Sequence, residues 1–208
     1  MTELRGQDKR IRISQSVYKR GETENRNSAL REARGKWIAF LDVGDVWHPE
    51  KLARQIAFMK ENGYALSYTS YGLMNDKSES RDVVISGKEH ITHQDMLKCC
   101  WPTYLTVMYD AEKIGRLHVK EQNINNDYAL WLDASDRCDC YLLNENLASY
   151  RTHWGLMGKF IMTNKFKWRY DCYFYQERQN GPKSYLFAIR SLLFGLWKWM
   201  RYVKRVKR

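Results

Sequence analysis

Two carboxylates close an apolar run in Phe40-Leu41-Asp42-Val43-Gly44-Asp45. Open α/β sheets take their ligands in the crevice beyond the carboxyl ends of the strands. Acidic side chains at such an edge suit a hard divalent cation, which in turn holds phosphates. They equally suit a plain turn, with Asp45 capping it and Asp42 closing the strand, and spacing alone leaves both open. A further acid, Asp127, precedes the apolar stretch Tyr128-Ala129-Leu130-Trp131-Leu132, where aspartate is a favoured N-cap. His48, His90, His93 and His118 share no ligand spacing and read as structural. The five cysteines include the adjacent Cys99-Cys100 and the Cys138-x-Cys140 pair. Neither has the two-residue spacing usual for zinc, and the cysteines read as reduced, mostly buried thiols of a cytosolic protein.

The elements that must position these groups follow from periodicity. Ile11 and Ile13 alternate with arginines and predict a short strand. Thr23 caps a helix with Ala29, Leu30 and Ala33 on its apolar side, ending at Gly35. Trp37 to Leu41 predicts a strand buried on both faces. Pro49 opens the next helix, whose inner stripe is Leu52, Ile56 and Met59 and whose end is Asn62-Gly63. Tyr64 to Ser70 and Tyr104 to Tyr109 are strand-like. Residues 72–90 read as a polar surface excursion with a short strand near Val83-Val84-Ile85. Tyr128 to Leu132 starts a helix, with Trp131 as core, and two short strands follow at Cys140–Leu143 and Leu147–Tyr150. Such alternation predicts an α/β domain over residues 1–155. Helices with a basic amphipathic tail follow over residues 156–208.

The wording of one long stretch is familiar. Asn25-Arg26-Asn27-Ser28-Ala29-Leu30, Ala33-Arg34-Gly35-Lys36-Trp37-Ile38-Ala39-Phe40-Leu41-Asp42 and Trp47-His48-Pro49-Glu50-Lys51-Leu52 with Gln55 follow in one register. Asn126-Asp127-Tyr128-Ala129-Leu130-Trp131-Leu132 and Tyr150-Arg151-Thr152-His153 continue it. Over about residues 10–155 the chain strongly resembles family 2 glycosyltransferases of the bacterial surface-polysaccharide and lipopolysaccharide type. The resemblance implies a GT-A-like (Rossmann-like) mixed sheet flanked by helices. It also implies an inverting, metal-dependent transfer from a nucleotide-sugar donor to a lipid-linked or saccharide acceptor in cell-envelope polysaccharide synthesis. By the same resemblance Asp127 is the catalytic base. Asp42, Asp45 and His153 fall at the metal, Arg26 and Asn27 at the donor pocket, and Arg151 at the diphosphate. Mn²⁺ or Mg²⁺ is implied, weakened because Gly44 stands where the family carries its second metal carboxylate. The family's opening strand–helix–strand unit is not found ahead of Arg10, so the expected sheet lacks its first βαβ unit. The rival expectation is a non-catalytic remnant that binds a membrane or a partner.

Of the net charge of +11, the first 182 residues carry only +3, because Lys183 to Arg208 hold eight basic residues and no acidic one. Basicity confined to a tail argues against a nucleic-acid partner. Leu186, Ile189, Leu193, Leu196, Trp197 and Met200 recur at helical spacing there, with Trp199, Lys198, Arg201, Lys204 and Arg205 among and beyond them. A basic amphipathic helix with tryptophan at its boundary suits an anionic membrane surface. The same pattern also suits a helix packed on the domain. The longest stretch free of charged residues, Asn62 to Asn75, is 14 residues, against the roughly 20 a spanning helix needs. Met1-Thr2-Glu3-Leu4-Arg5 lacks the apolar core of a secretory signal. The expected location is cytoplasmic, peripheral at the inner face of the plasma membrane.

Overall fold

The structure, a computed structural model, describes residues 6–14, 21–119, 126–152, 167, 169–176 and 180–206. Its centre is a mixed eight-stranded sheet built around one long strand, β3 (Leu66–Met74). Along one side of β3 runs β7 (Cys140–Arg151), parallel, in register from Leu66↔Cys140 to Met74↔Arg151. The other side takes β6 (Met108–Asp110) at its start and β4 (Ser80–Ile85) at its end, both antiparallel. Outermost beside β6 lies β1 (Trp37–Ala39), antiparallel. The short β2 (Val46–Trp47) and β5 (His90–Ile91) add to β7.

Helices cover this sheet. They are α1 (Gly21–Glu32), α2 (Lys51–Asn62), the single turns α3 (His93–Met96) and α4 (Ala111–Ile114), and α5 (Asn126–Ser135). A π-helical turn at Cys172–Gln176 then leads to α6 (Gly181–Tyr202), and β8 (Val203–Arg205) returns to pair with β4. Tyr128, Ala129, Leu130, Trp131 and Leu132 of α5 are all buried, as expected of a helix apolar all round. Trp131 is wholly enclosed between Phe40 and Tyr104, with ring centroids at 5.9 and 5.4 Å. Cys172, Tyr173 and Ala188 belong to the same buried cluster.

Several local expectations are corrected. Residues 11–14 form no strand; Arg12 there turns to the Glu32 carbonyl and carboxylate of α1 instead. α1 starts at Gly21, before Thr23, and buries Asn27 and Leu30 while Ala29 is exposed. Reciprocal bonds from the Asn27 amide to the Val119 backbone, both 2.8 Å, turn that face inward. The strand at Trp37 stops at Ala39, and Leu41 is exposed. Among the described residues β1 pairs with β6 alone, so it is a sheet edge and not a strand buried on both faces.

α2 ends as expected at Asn62, with Gly63 in the left-handed region at φ 70°. Its inner stripe, however, is Lys51, Gln55 and Met59, and Leu52 is exposed. Two polar residues can turn inward because the core supplies partners. Lys51 Nζ donates to Gln55 Oε1 at 2.6 Å, and Gln55 Nε2 donates to Ser67 Oγ and the Thr106 carbonyl at 3.0 Å each. The polar stretch after residue 72 is a hairpin. β3 runs on to Met74, and Asn75 Oδ1 accepts the N–H groups of Lys77 and Glu79 to turn the chain into β4. The expected strand at Tyr104 is shortened to Met108–Asp110 by a turn at Thr103–Thr106. The two strands expected after Cys140 are one, with irregular register opposite Ser70.

In α6 the basic and apolar residues sort otherwise than expected for Lys198, which faces the domain and not the rim. Its ammonium donates to the Cys100 and Trp101 carbonyls at 2.8 Å each. Among the described residues no helix is long and apolar enough to cross a membrane.

Candidate active site

The turn after β1 is built by residues far apart in sequence. Gly44 takes φ +98°, a conformation that L side chains rarely adopt. The Asp45 N–H donates to the Asp42 carbonyl at 3.2 Å and closes the turn. Arg151, at the end of β7, then fixes it. Its backbone N–H donates to Asp45 Oδ1 at 2.8 Å and its Nε to the Gly44 carbonyl at 2.7 Å. The rest of the guanidinium reaches the β3–β4 turn, donating to the Asn75 and Asp76 carbonyls at 3.0 and 2.9 Å and to Ser78 Oγ at 2.9 Å. Arg151 is thus occupied as a strut between two turns.

Asp42 projects from this turn with its side chain 45% exposed. Its Oδ1 accepts from Arg26 Nη2 at 2.7 Å, and the same nitrogen donates to Glu22 at 2.7 Å. The Arg26 guanidinium lies over the Tyr104 ring at 4.0 Å, a cation–π contact. Asn27, one residue on, points away from this opening into its bonds with Val119.

Asp127 enters from the opposite element. It lies in the first turn of α5, half-buried, and its Oδ1 accepts the Tyr128 N–H at 2.8 Å. Burial holds its carboxyl above the usual carboxylate range; the Asp42 charge pushes the same way, while hydrogen bonds and Arg26 oppose. Three tyrosines stand among these acids. The Tyr150 hydroxyl is raised by burial and by the charges of Asp45, Asp42 and Asp127 together. Tyr71 packs edge-on against Tyr150, centroids 6.3 Å apart, and burial, with Asp45 and Asp127 adding to it, raises its hydroxyl too. Tyr104 completes the wall beneath Arg26. Asp42, Asp45 and Asp127 therefore share one electrostatic neighbourhood lined by Tyr71, Tyr104 and Tyr150. Tyr71 and Tyr104 carry no local sequence signal; only the sheet brings them to the acids.

Asp42 suits a divalent cation that takes its other ligands from phosphate and water, as Mg²⁺ commonly does. Asp45 is held by the Arg151 backbone. Among the described residues no three His, Cys, Asp or Glu gather into a metal cage, and His153 lies outside those residues. His48 pairs with Ser149, His90 with Asp139 and His93 with Ser135 and Asp136. All five cysteines are free thiols.

An acid just beyond the carboxyl end of a strand and a second acid at a helix start within reach of its charge suit group transfer from a phosphate-activated donor. The sequence pattern of Glycosyl transferase family 2 matches residues 1–116. The chain belongs to this family. It is 36% identical over 161 residues to the putative teichuronic acid biosynthesis glycosyltransferase TuaG of Bacillus subtilis, covering 77% of this chain and 62% of that protein. To the UDP-Glc:alpha-D-GlcNAc-diphosphoundecaprenol beta-1,3-glucosyltransferase WfgD of Escherichia coli it is 33% identical over 162 residues, covering 77% and 61%. The chain thus spans about three-fifths of these relatives' length. The fold is similar to that of S. aureus TarS residues 1–349, with a TM-score of 0.61 at 14% identity, covering 92% of this chain and 56% of that one.

Proposed function

We propose that this chain transfers a hexosyl group, with inversion, from a UDP-sugar to a saccharide carried on a lipid diphosphate, in building a cell-envelope polysaccharide. Family membership supports the reaction class. The donor and acceptor are suggested by WfgD, named for transfer from UDP-Glc to a GlcNAc-diphosphoundecaprenol, and by TarS, whose structure is also known with UDP-GlcNAc. The observation that carries the proposal is Asp127 at the first turn of α5, a carboxylate raised by desolvation and within reach of the Asp42 charge.

Asp127 takes the proton from the acceptor hydroxyl. That oxygen attacks the anomeric carbon as the bond to the UDP oxygen breaks, and a single displacement inverts the configuration. A carboxylate with raised affinity for protons is a better base than an ordinary one. Asp42 would hold the divalent cation, and Asp45, steadied by Arg151, would approach it; when bound, the cation neutralises the departing diphosphate. Arg26 adds positive charge beside Asp42. Tyr150, 43% exposed, offers its hydroxyl and ring to the acceptor sugar, while Tyr71 and Tyr104 pack around the acids and exclude water.

Transfer of labelled glucose from UDP-glucose to a GlcNAc-diphospholipid, together with thermal melting in UDP and Mn²⁺, tests this. Asp127→Asn is expected to cost about 10²–10⁴ in kcat, the usual share of a general base, while keeping the UDP-induced rise in Tm. Asp42→Asn is expected to lose the Mn²⁺-dependent part of that rise. A folded wild-type chain with neither transfer nor any UDP effect would overturn the proposal.

A further inference from the structure

α6 carries more apolar surface than its packing on the domain uses. The face against the domain has small residues at its centre, Ser184, Ala188 and Ser191, all fully buried, flanked by Phe187, Phe194 and Tyr202 packed on the core. Two cations on that side bind the segment after α3. Arg190 Nη2 donates to the Leu97 carbonyl at 3.2 Å, and Lys198 spans the Cys100 and Trp101 carbonyls. A second set of bulky apolar residues faces outward. Leu186, Leu193, Trp199 and Met200 are each at least 63% exposed, and Tyr185 and Leu196 more than half exposed. At 22 residues the helix is about 33 Å long, so this is a continuous apolar strip and not scattered exposure.

We propose that the outward face of α6 beds into the surface of an anionic phospholipid bilayer, with the helix lying in the membrane plane. Charge selects this occupant over a second copy of the chain. Residues 180–206 carry six cations and no acid, and Lys183, Arg201, Lys204 and Arg205 are exposed. Two copies meeting through this strip would bring like charges together, whereas anionic headgroups neutralise them. Trp199, among the most exposed of the strip, is of the type that settles at the headgroup boundary. The docking helix also borders the reaction centre. Lys198 on its inner face and Cys100, whose carbonyl it holds, both feel the Asp127 charge.

Vesicle binding requires no donor or transfer, so its failure is separable from failure of the catalytic proposal. The chain is floated with phosphatidylcholine vesicles with and without phosphatidylglycerol. Binding about tenfold tighter to the anionic vesicles is expected, weakening with salt, with a blue shift of tryptophan emission that Trp199→Phe diminishes. Leu193→Glu with Met200→Glu should abolish flotation while leaving Tm unchanged, because both side chains are exposed. Lys204→Glu with Arg205→Glu should remove the preference for anionic lipid. The proposal is overturned if the wild type does not float, or if the glutamate pair floats equally well. It is also overturned if light scattering shows a dimer that the glutamate pair dissolves in a chain that ignores vesicles.

Discussion

Arg26 holds the Asp42 carboxylate at 2.7 Å while lying over the Tyr104 ring at 4.0 Å. The arginine side chain is only 12% exposed and the aspartate 45%, so screening by water is partial. The pair orients Asp42 in the absence of any ligand. A double-mutant cycle of Arg26→Gln and Asp42→Asn, read by denaturant unfolding, should give a coupling of about 1 kcal/mol. A coupling indistinguishable from zero would mean that Arg26 does not hold Asp42 in solution.

Asp127 should weaken the fold it serves. Its folded carboxyl binds protons more tightly than the unfolded one, because burial disfavours the charged form. Stability from this group is therefore present at acid pH and declines as pH rises through the folded value. Asp127→Asn removes the penalty and keeps a good acceptor for the Tyr128 N–H. The variant should melt at or above the wild-type temperature at pH 7.5, and the gap should narrow toward pH 4. A lower Tm at pH 7.5 would refute this.

Lys51 gives the opposite slope. It is fully buried, no carboxylate among the described residues pairs with it, and desolvation lowers it to about 7. The unfolded lysine holds its proton to higher pH, so the wild type should gain stability between about pH 7 and pH 10, by a few kcal/mol at most. Lys51→Met should flatten that rise, measured by urea unfolding across the range. An unchanged pH slope would show that Lys51 reaches water.

Arg151 ties the Asp42–Asp45 turn to the β3–β4 turn through five donated hydrogen bonds. Arg151→Ala keeps only the backbone bond to Asp45. Losing a part-buried guanidinium that serves four acceptors should cost about 2–3 kcal/mol, a Tm drop of roughly 4–12 °C for a chain of this size. Gly44→Ala should act in the same direction and cost about 1–2 kcal/mol, since Gly44 sits at φ +98° with the Arg151 side chain 3.6 Å from where a Cβ would lie. An Arg151→Ala variant as stable as wild type would mean that the turns hold themselves.

Much of the architecture was legible locally. The proline before α2 and the glycine after it set that helix's end to the residue, and the apolar run at Tyr128–Leu132 marked α5. The motifs around Asp42 and Asp127 identified the family because those runs are contiguous in sequence. Which face of an element is buried was less legible. The spacing of Leu52, Ile56 and Met59 placed Met59 on the inner stripe but missed Lys51 and Gln55, which find acceptors at Ser67 and Thr106 that no local pattern reveals. The strand expected at Ile11–Ile13 failed for a similar reason: alternation proposes a strand, but only a neighbouring strand makes one.

By itself the sequence determined the order of elements, the acids that close the two key motifs and the two-sided character of α6. Tertiary structure decided that Tyr71, Tyr104 and Tyr150 gather round those acids and that Arg151 is a strut. It also turned the lysine-bearing side of α6 inward and its leucines outward. Periodicity records only that an element has two faces. Which face meets the protein depends on hydrogen-bond acceptors supplied from elsewhere, such as the Cys100 carbonyl for Lys198, 98 residues away in the chain.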